Sequence, residues 1–439
     1  MTYFEKYIEE NPYKSYIYSY PHKKSYRIFD KAFDLKKLWE NRKSDNLTLY
    51  IHIPFCLNKC GYCNLFSTTD FNKDKMSKYV DKLIEEIKAV KNILDLKKES
   101  IFSSVIFGGG TPTALPKDLM EKLLIVIEKN LNIDFKKIFL SMETSPNTMN
   151  KEYIDLLKKF HINRISMGIQ SFKECELKEI YRFETVNNIN KSLELMKKEN
   201  IEIKNLDLIY GIPSQSIESF MDSLKRVIEY KPEEIFIYPL YIREKTKLYE
   251  KCKRDFNNMT NMYDLAKDEL IKNGYIQTSM RNFIREDMSE KLYPSYSCQE
   301  NEMIGIGCGA RSYISNIHYS RKYAVNQSNI KSIINDYLRE ENLYYATYGY
   351  ILSEDEIKRK YILKSILKVT GLDLEEYFKR FNKNIFDDFN EINLLIDKGF
   401  LIKKDTRIYP TEKGLKYSDA MGCLFISNEV NKKIQDFLE

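Results

Sequence analysis

The chain has 439 residues, of which 43% are hydrophobic and 31% are charged, a balance typical of soluble folded proteins that excludes a disordered or fibrous chain. Its 70 basic and 64 acidic side chains are interspersed and leave a net charge of +6, so we expect neither a nucleic-acid partner nor a membrane surface. No run of about 18 apolar residues occurs and the N-terminus is polar, so the expected location is cytoplasmic.

Short apolar, β-branched runs alternate with longer amphipathic runs between residues 47 and 240. The predicted strands are 47–53, 103–107, 137–142, 164–168, 202–209 and 234–240, and the predicted helices are 74–94, 117–129, 151–160, 187–199 and 215–229. Because alternating strands and helices form parallel sheets through right-handed crossovers, these six units predict an α/β fold with a closed or partial barrel.

Three regions follow from this pattern, because a chain of this length exceeds one ordinary core. Residues 1–46 are rich in tyrosine and are expected to form an N-terminal strap or lid, and residues 47–341 form the barrel with a following insert. Residues 342–439 predict a small helical or winged-helix-like domain, with helices at 354–368, 374–380, 385–398 and 411–425 and short strands at 399–402 and 408–411.

The chemically informative residues follow the carboxyl ends of the predicted strands, where parallel α/β folds place their active sites. Cys56 to Cys63 follow the first strand, and Gly108 to Gly110 follow the second. Glu143, Gln170 and Gly211 follow the third, fourth and fifth strands. These side chains are therefore expected to meet at one mouth of the barrel.

The strongest local signal is the loop that contains Cys56, Cys60 and Cys63 within eight residues. In a reducing compartment, such a cluster indicates a metal site and not a disulfide framework. Three thiolates on a [4Fe–4S] cluster leave one iron open for a substrate or cofactor. A structural zinc would require a fourth ligand, for which the only neighbour is His52 on the preceding strand. The sequence therefore favours a [4Fe–4S] cluster over zinc.

Together with further motifs, this loop resembles the radical S-adenosylmethionine (SAM) superfamily. Within it, the chain is similar to the oxygen-independent coproporphyrinogen III oxidase family and its relatives, the haem chaperones, radical C-methyltransferases and cyclopropanating enzymes. The resemblance rests on motifs at residues 50–63, 107–113, 142–146, 164–171, 182, 205–213 and 305–312. It implies a partial (β/α)6 radical SAM barrel with a small helical C-terminal domain.

The resemblance also implies which residues bind one or two SAM molecules. Tyr50, Gly109 and Glu143 would contact the first SAM, with Tyr62 near it. The positions that would hold a second SAM are Gly110, Thr111, Gln170, Arg182 and Asp207, and a late loop at Ala310 and Arg311 would close on a nucleoside. Arg182 and Asp207 could instead form an ordinary ion pair at the barrel mouth, and Arg311 replaces an apolar residue common in the porphyrinogen oxidases.

The implied activity is radical chemistry, in which SAM is cleaved to a 5′-deoxyadenosyl radical that abstracts hydrogen from an organic substrate. The family includes oxidative decarboxylation of coproporphyrinogen III in haem biosynthesis, C-methylation or cyclopropanation, and haem transfer by chaperones. Residues 293–303 contain neither the His nor the Trp of the element that the chaperones carry after the barrel, which disfavours the last reading. A flavodoxin or ferredoxin-type protein is the expected electron donor.

A basic N-terminal segment contains His22, Lys23, Lys24 and Arg27 beside tyrosines. Such a cluster suits a small-molecule substrate with several carboxylates, because charge-assisted hydrogen bonds recognise anions. The alternative is a surface strap whose basic side chains are solvated.

Overall fold

The computed structural model describes residues 7–43, 46–96, 101–249, 251–292 and 302–438. The chain begins with strand β1 (Arg27–Asp34) and helix α1 (Leu35–Glu40). The parallel strands that follow are β2 (Leu47–Ile53), β3 (Phe102–Gly109), β4 (Phe139–Thr144), β5 (Arg164–Gln170), β6 (Ile203–Tyr210) and β7 (Glu234–Pro239). Their connecting helices are α2 (Lys73–Ile93), α3 (Lys117–Asn130), α4 (Lys151–Lys159), α5 (Glu174–Glu179), α6 (Val186–Lys198) and α7 (Ile217–Glu229).

Strands β2 to β7 pair in sequence order, each parallel to the next, which confirms the predicted partial (β/α)6 barrel. After the barrel come α8 (Phe256–Lys272), β8 (Tyr275–Gln277), β9 (Asn282–Arg285), α9 (Ser289–Leu292), β10 (Met303–Ile306), β11 (Arg311–Ile314), β12 (Ile317–Ser320), α10 (Gln327–Arg339) and β13 (Tyr345–Ile351). Strand β10 adds to β2 in parallel, and the full order is β1-β13-β12-β11-β10-β2-β3-β4-β5-β6-β7-β9-β8. The sheet is therefore open, with β1 and β8 at its two edges.

The two faces of the barrel strands differ in polarity, because successive side chains point to opposite sides. On β2, the side chains of Leu47, Leu49 and Ile51 are fully buried against the outer helices. The intervening residues of the strands face the lumen and include Tyr50, Glu143 and Asp207, which retain contact with solvent. The outer face thus holds the core, and the lumen carries the polar groups.

The C-terminal region combines a three-stranded sheet with short helices. Its elements are α11 (Glu354–Ser365), β14 (Leu372–Asp373), α12 (Leu374–Phe381), α13 (Ile385–Asp388), α14 (Asn390–Asp397), β15 (Leu401–Lys404), β16 (Arg407–Pro410), α15 (Glu412–Lys416), α16 (Ser418–Cys423) and α17 (Asn428–Gln435). The single helix predicted at 385–398 is wrong, because Phe389 adopts an extended conformation (φ −140°, ψ 91°) and packs its buried ring against Phe425. The helix predicted at 411–425 is likewise divided at Tyr417 (φ −103°, ψ 21°).

The N-terminal segment lies between the C-terminal region and the barrel. Ile8, Tyr20 and Tyr26 belong to the core of the C-terminal region, whereas β1 pairs with β13 at the edge of the large sheet. Strand β13 lies within the predicted C-terminal domain 342–439, so the first residues of that range belong to the large sheet. Within the described ranges, no helix is long and apolar enough to cross a membrane.

Candidate active site

The cysteine loop connects β2 to α2 and is closed by its own backbone. The Cys56 N–H donates to the Thr68 carbonyl (3.0 Å), and the Thr68 N–H donates to the Pro54 carbonyl (2.7 Å). The Cys63 N–H donates to the Cys60 carbonyl at 3.2 Å, which forms a tight turn between these two cysteines. Cys56 is buried, and Cys60 and Cys63 are partly buried.

Each cysteine sulfur has a polar neighbour from another segment or from later in the loop. The Thr111 hydroxyl lies 3.7 Å from the Cys56 sulfur, the Arg182 guanidinium 3.7 Å from the Cys60 sulfur, and the Ser67 hydroxyl 3.9 Å from the Cys63 sulfur. Burial raises the pKa of the Cys56 thiol to about 12 and also raises the pKa of Cys60. A metal that bound these sulfurs would therefore have to displace their protons.

The surroundings of His52 do not favour a role as the fourth ligand of a zinc ion. His52, the one nearby candidate for a fourth ligand, has both ring nitrogens engaged, with the Phe66 carbonyl at 2.8 Å and the Tyr50 hydroxyl at 3.3 Å. Its pKa is lowered to about 4, chiefly by burial, so the ring is neutral at pH 7.

The glycine-rich segment after β3 is hydrogen-bonded to the start of the cysteine loop. The Gly110 N–H donates to the Ile53 carbonyl at 2.7 Å, and the Thr111 N–H donates to the Phe55 carbonyl at 2.8 Å. Gly109 has φ +113°, and a Cβ there would lie 2.4 Å from the His52 ring. Only glycine allows this approach, so the segment is shaped to lie against the base of the loop.

Two carboxylates, Glu143 and Asp207, face the lumen below the cysteine loop. The Gly109 N–H donates to Glu143 at 3.1 Å. Water reaches the Glu143 side chain through the lumen, but the barrel walls surround it, and burial raises its pKa. Burial raises the pKa of Asp207 to about 7, although its hydrogen bond with Asn205 and the charge of Arg164 act in the opposite direction. These groups suit a cationic or hydrogen-bond-donating ligand.

Gln170 and Asn205 each have a buried side-chain oxygen that lacks a hydrogen-bond partner among the described residues. Gln170 has its backbone in the left-handed region (φ +70°), and its buried side-chain oxygen has no hydrogen-bond partner among the described residues. The side-chain oxygen of Asn205 is also buried, and no donor among the described residues lies within hydrogen-bond distance of it. Buried polar atoms are nearly always paired, so both oxygens fit a ligand that donates hydrogen bonds.

Arg182 and Asp207 do not form the ion pair that the sequence left open as an alternative. Arg182 instead pairs with Glu184 (2.8 Å) and donates to the Gly168 carbonyl at 2.8 Å. The Tyr62 hydroxyl also interacts with Arg182. Arg182 therefore lies beside the cysteine loop as well as at the mouth of the barrel.

The late loop meets the N-terminal segment. Ala310 is buried and its N–H donates to the Gly307 carbonyl at 3.2 Å. Arg311 donates to the Ser19 hydroxyl at 2.9 Å and to the Tyr18 hydroxyl at 3.1 Å. The N-terminal segment is thus held over the site by a residue from the late loop.

Of the four basic residues in that segment, Lys23 is the one that reaches the cysteine loop. Its ammonium group lies 3.4 Å from the Asn64 carbonyl and 3.9 Å from the centroid of the Tyr323 ring. Lys23 is buried, no described carboxylate pairs with it, and burial lowers its pKa to about 8. Arg27 instead caps backbone carbonyls at Lys24 and Tyr26.

Sequence reasoning missed the buried pair of Arg164 with Glu234 (2.6 Å), which crosses the lumen near Asp207. The available signal was polar residues at alternate positions of strands, which mark the lumen face. His52 was considered only as a metal ligand, whereas its ring fills the space between the glycine-rich segment and the cysteine loop. Residues 293–301, which include most of the stretch lacking the chaperone element, lie outside the described residues.

Comparisons with known proteins agree with this site. The family model of the radical SAM superfamily matches residues 50–227, and that of the HemN C-terminal domain matches residues 352–416. The heme chaperone HemW of Buchnera aphidicola (subsp. Acyrthosiphon pisum, strain APS) is 30% identical over 394 residues, which cover 87% of this chain and 98% of that relative. The chain belongs to the radical SAM family that contains HemN and HemW.

One further relative and one solved structure are also similar to this chain. The oxygen-independent coproporphyrinogen III oxidase of Escherichia coli (strain K12) is 27% identical over 408 residues, covering 87% of this chain and 84% of the relative. The solved structure of coproporphyrinogen III oxidase (HemN) from Escherichia coli superposes with a TM-score of 0.79 at 22% identity, covering 94% of this chain and 97% of that one. The superposition shows that the two share a fold.

Membership of the radical SAM superfamily implies a [4Fe–4S] cluster and SAM. The residues present fit both groups. Three cysteines on one closed loop would supply the thiolates, and the unpaired oxygens of Gln170 and Asn205 are suited to a ligand with amine or hydroxyl donors.

Proposed function

We propose that this protein is a radical SAM enzyme that abstracts hydrogen from an anionic organic substrate held beneath its N-terminal segment. The single observation that carries the proposal is the meeting of the Cys56–Cys63 loop, the glycine-rich segment and the lumen carboxylates at one mouth of the barrel. When bound, the cluster supplies the electron that cleaves SAM to methionine and a 5′-deoxyadenosyl radical.

The chain's own residues would bind and orient the reactants. Cys56, Cys60 and Cys63 would hold the cluster through their thiolates. Glu143, fixed by the Gly109 N–H, offers a carboxylate to the cationic amine or the ribose hydroxyls of SAM. The resemblance assigns further SAM contacts to Tyr50 and Tyr62, and contacts with a second SAM to Gly110, Thr111, Gln170, Arg182 and Asp207.

The buried ammonium group of Lys23 supports an anionic substrate. It lies between the Asn64 carbonyl and the Tyr323 ring, and Arg311 is close enough to lower its pKa. A buried charge without a counter-ion is costly, so a carboxylate of the substrate would stabilise the ammonium group of Lys23. Oxidative decarboxylation of a porphyrinogen propionate is the reaction that fits best, because its substrate carries such groups. C-methylation and cyclopropanation are alternatives that begin with the same radical.

A second candidate function is haem transfer. It is supported by the relative named a heme chaperone, which is covered almost end to end by this chain. A chaperone would bind haem tightly, whereas the enzyme would consume SAM in the presence of its substrate.

The test is anaerobic reconstitution with iron and sulfide, followed by assay with dithionite, SAM and coproporphyrinogen III. We expect 5′-deoxyadenosine and a product that has lost carboxyl groups, whereas added methyl mass would identify a methyltransferase. The triple variant Cys56→Ala, Cys60→Ala, Cys63→Ala should lose bound iron and SAM cleavage, and the exposed Cys175→Ala should retain both. Stoichiometric haem binding without SAM cleavage would overturn the enzymatic proposal in favour of the chaperone.

A further inference from the structure

Two segments, residues 180–183 and 243–254, contact the cysteine loop at Gly61. The Gly61 N–H donates to the Ile180 carbonyl at 2.9 Å, and the Leu248 N–H donates to the Gly61 carbonyl at 3.1 Å. A Cβ at Gly61 would lie 2.5 Å from the Tyr181 ring and 3.1 Å from the Leu248 side chain, so the three segments are closely packed. Gly61, between Cys60 and Cys63, is therefore covered by these two segments, whose Ile180 and Leu248 side chains are themselves buried.

Large apolar side chains are exposed around these two segments. Leu57, in the loop itself, is 58% exposed, Phe183 is 63% exposed, and Tyr249 is 50% exposed. Single exposed apolar residues are common, but contiguous ones mark interaction sites. These three belong to segments that the Gly61 hydrogen bonds bring together, so we name Leu57, Phe183 and Tyr249 the outer patch.

The surroundings of the outer patch are positively charged. Residues 243–254 contain six basic and two acidic residues. The ammonium groups of Lys247 and Lys251 lie 5.2 and 5.7 Å from the centroid of the Tyr181 ring. On the adjoining segment, Arg182 offsets the charge of Glu184, and Glu179 accepts from the Ser214 N–H.

We propose that the outer patch, with Lys247 and Lys251, is the docking surface for an acidic protein that delivers one electron to the cluster. This inference rests on the proposed function, because only a redox-active cluster needs such a partner. One electron leaves the reduced flavin or iron–sulfur centre of the donor and enters the chain's cluster. The donor is oxidised by one electron, the cluster is reduced by one, and no atom moves.

The physical properties of the surface suit a transient encounter. Electron-transfer complexes bury small interfaces and dissociate readily, so a few apolar contacts suffice. Complementary charges accelerate association and lose strength with added salt, because mobile ions screen exposed charges. A donor seated here would approach the cluster across residues 180–183 and 243–254, the segments that contact Gly61.

The experiment uses the full-length, cluster-loaded protein with a purified acidic flavodoxin and, separately, an acidic [2Fe–2S] ferredoxin. The test variant is Lys247→Glu with Lys251→Glu, and the matched control is Lys403→Glu with Lys404→Glu, two exposed lysines on β15. We expect the test variant to bind the donor about tenfold more weakly, as for charge changes at electrostatically steered interfaces. The control should bind like the wild type, and binding by the wild type should weaken with salt.

Tyr249→Asp provides a second test that leaves the lysines in place. It should weaken donor binding, whereas SAM cleavage driven by dithionite should be unchanged in all of these variants. Equal binding by the wild type and both variants, equal losses in the test and control variants, or no binding of either donor by the wild type would overturn the proposal. Failure of dithionite-driven SAM cleavage in the wild type would refute the proposed function instead, because donor binding is measured independently of turnover.

Discussion

The substitution Asp207→Asn tests whether the lumen favours neutral groups. Asp207 lies on β6, beside Gly168 of β5, and Asn205 donates to it at 2.8 Å. Burial raises its pKa from 3.8 to about 7, and the nearby carboxylates of Glu143 and Glu234 act in the same direction. The folded protein therefore holds a proton on Asp207 that the unfolded chain has already released.

The sign and size of the effect follow from this difference. Between pH 4 and pH 7 the folded state binds more protons than the unfolded state, so the free energy of unfolding falls as the pH rises and levels off above about pH 7. The full shift of about three pKa units corresponds to about 4 kcal/mol, and the part between pH 5 and pH 8 to about 2.5 kcal/mol. Asparagine carries no such proton, so the Asp207→Asn variant should gain about 2.5 kcal/mol relative to the wild type over that interval.

Urea unfolding of the ligand-free protein at pH 5 and pH 8, followed by tyrosine and tryptophan fluorescence, measures this difference. The exposed residue Asp397 supplies the control, and Asp397→Asn should track the wild type at both pH values. If the stability difference between Asp207→Asn and the wild type were the same at pH 5 and pH 8, Asp207 would not be protonated in the fold, and the reasoning on the lumen would be refuted.

Two further substitutions test contacts at the site and between the domains. Arg182→Gln removes a cation that lies 3.7 Å from the Cys60 sulfur. Because a positive charge favours the reduced state, the midpoint potential of the reconstituted cluster should fall. A redox titration followed by electron paramagnetic resonance measures this potential, and Arg182→Lys should restore part of it. Asp419→Asn breaks the buried ion pair with Arg281 that joins the C-terminal region to the end of the large sheet. It should lower the free energy of unfolding by about 3–5 kcal/mol in urea, and a loss below about 1 kcal/mol would show that the hydroxyl of Tyr241 compensates for the missing charge.

The alternation of strands and helices was readable from the sequence because each element of the barrel contacts its neighbours in chain order. Strand 47–53 was predicted to the residue, and the other five strands within about two residues. No element was predicted between residues 256 and 351. Strands β10 to β12 are short, and the pairing of β10 with β2 and of β13 with β1 joins residues about 250 positions or more apart, which leaves no periodic signal in either partner.

The candidate residues of the site were found from motifs, but their partners were not. Arg182 was considered as a partner of Asp207, whereas it pairs with Glu184 and contacts Cys60. Its contact with a second SAM stays a prediction. Lys23 was one of four basic residues that the sequence could not distinguish. Its selection as the buried cation depends on Asn64 and Tyr323, which lie on separate segments of the chain.

The amino-acid sequence by itself determined the class of fold and the cluster of three cysteines, because strand periodicity and cysteine spacing are local properties of the chain. Only the tertiary structure decided which charges are buried, which carboxylate keeps its proton and which surface faces the loop between Cys60 and Cys63. These properties depend on desolvation and on distances between residues remote in sequence, and packing alone brings such residues together.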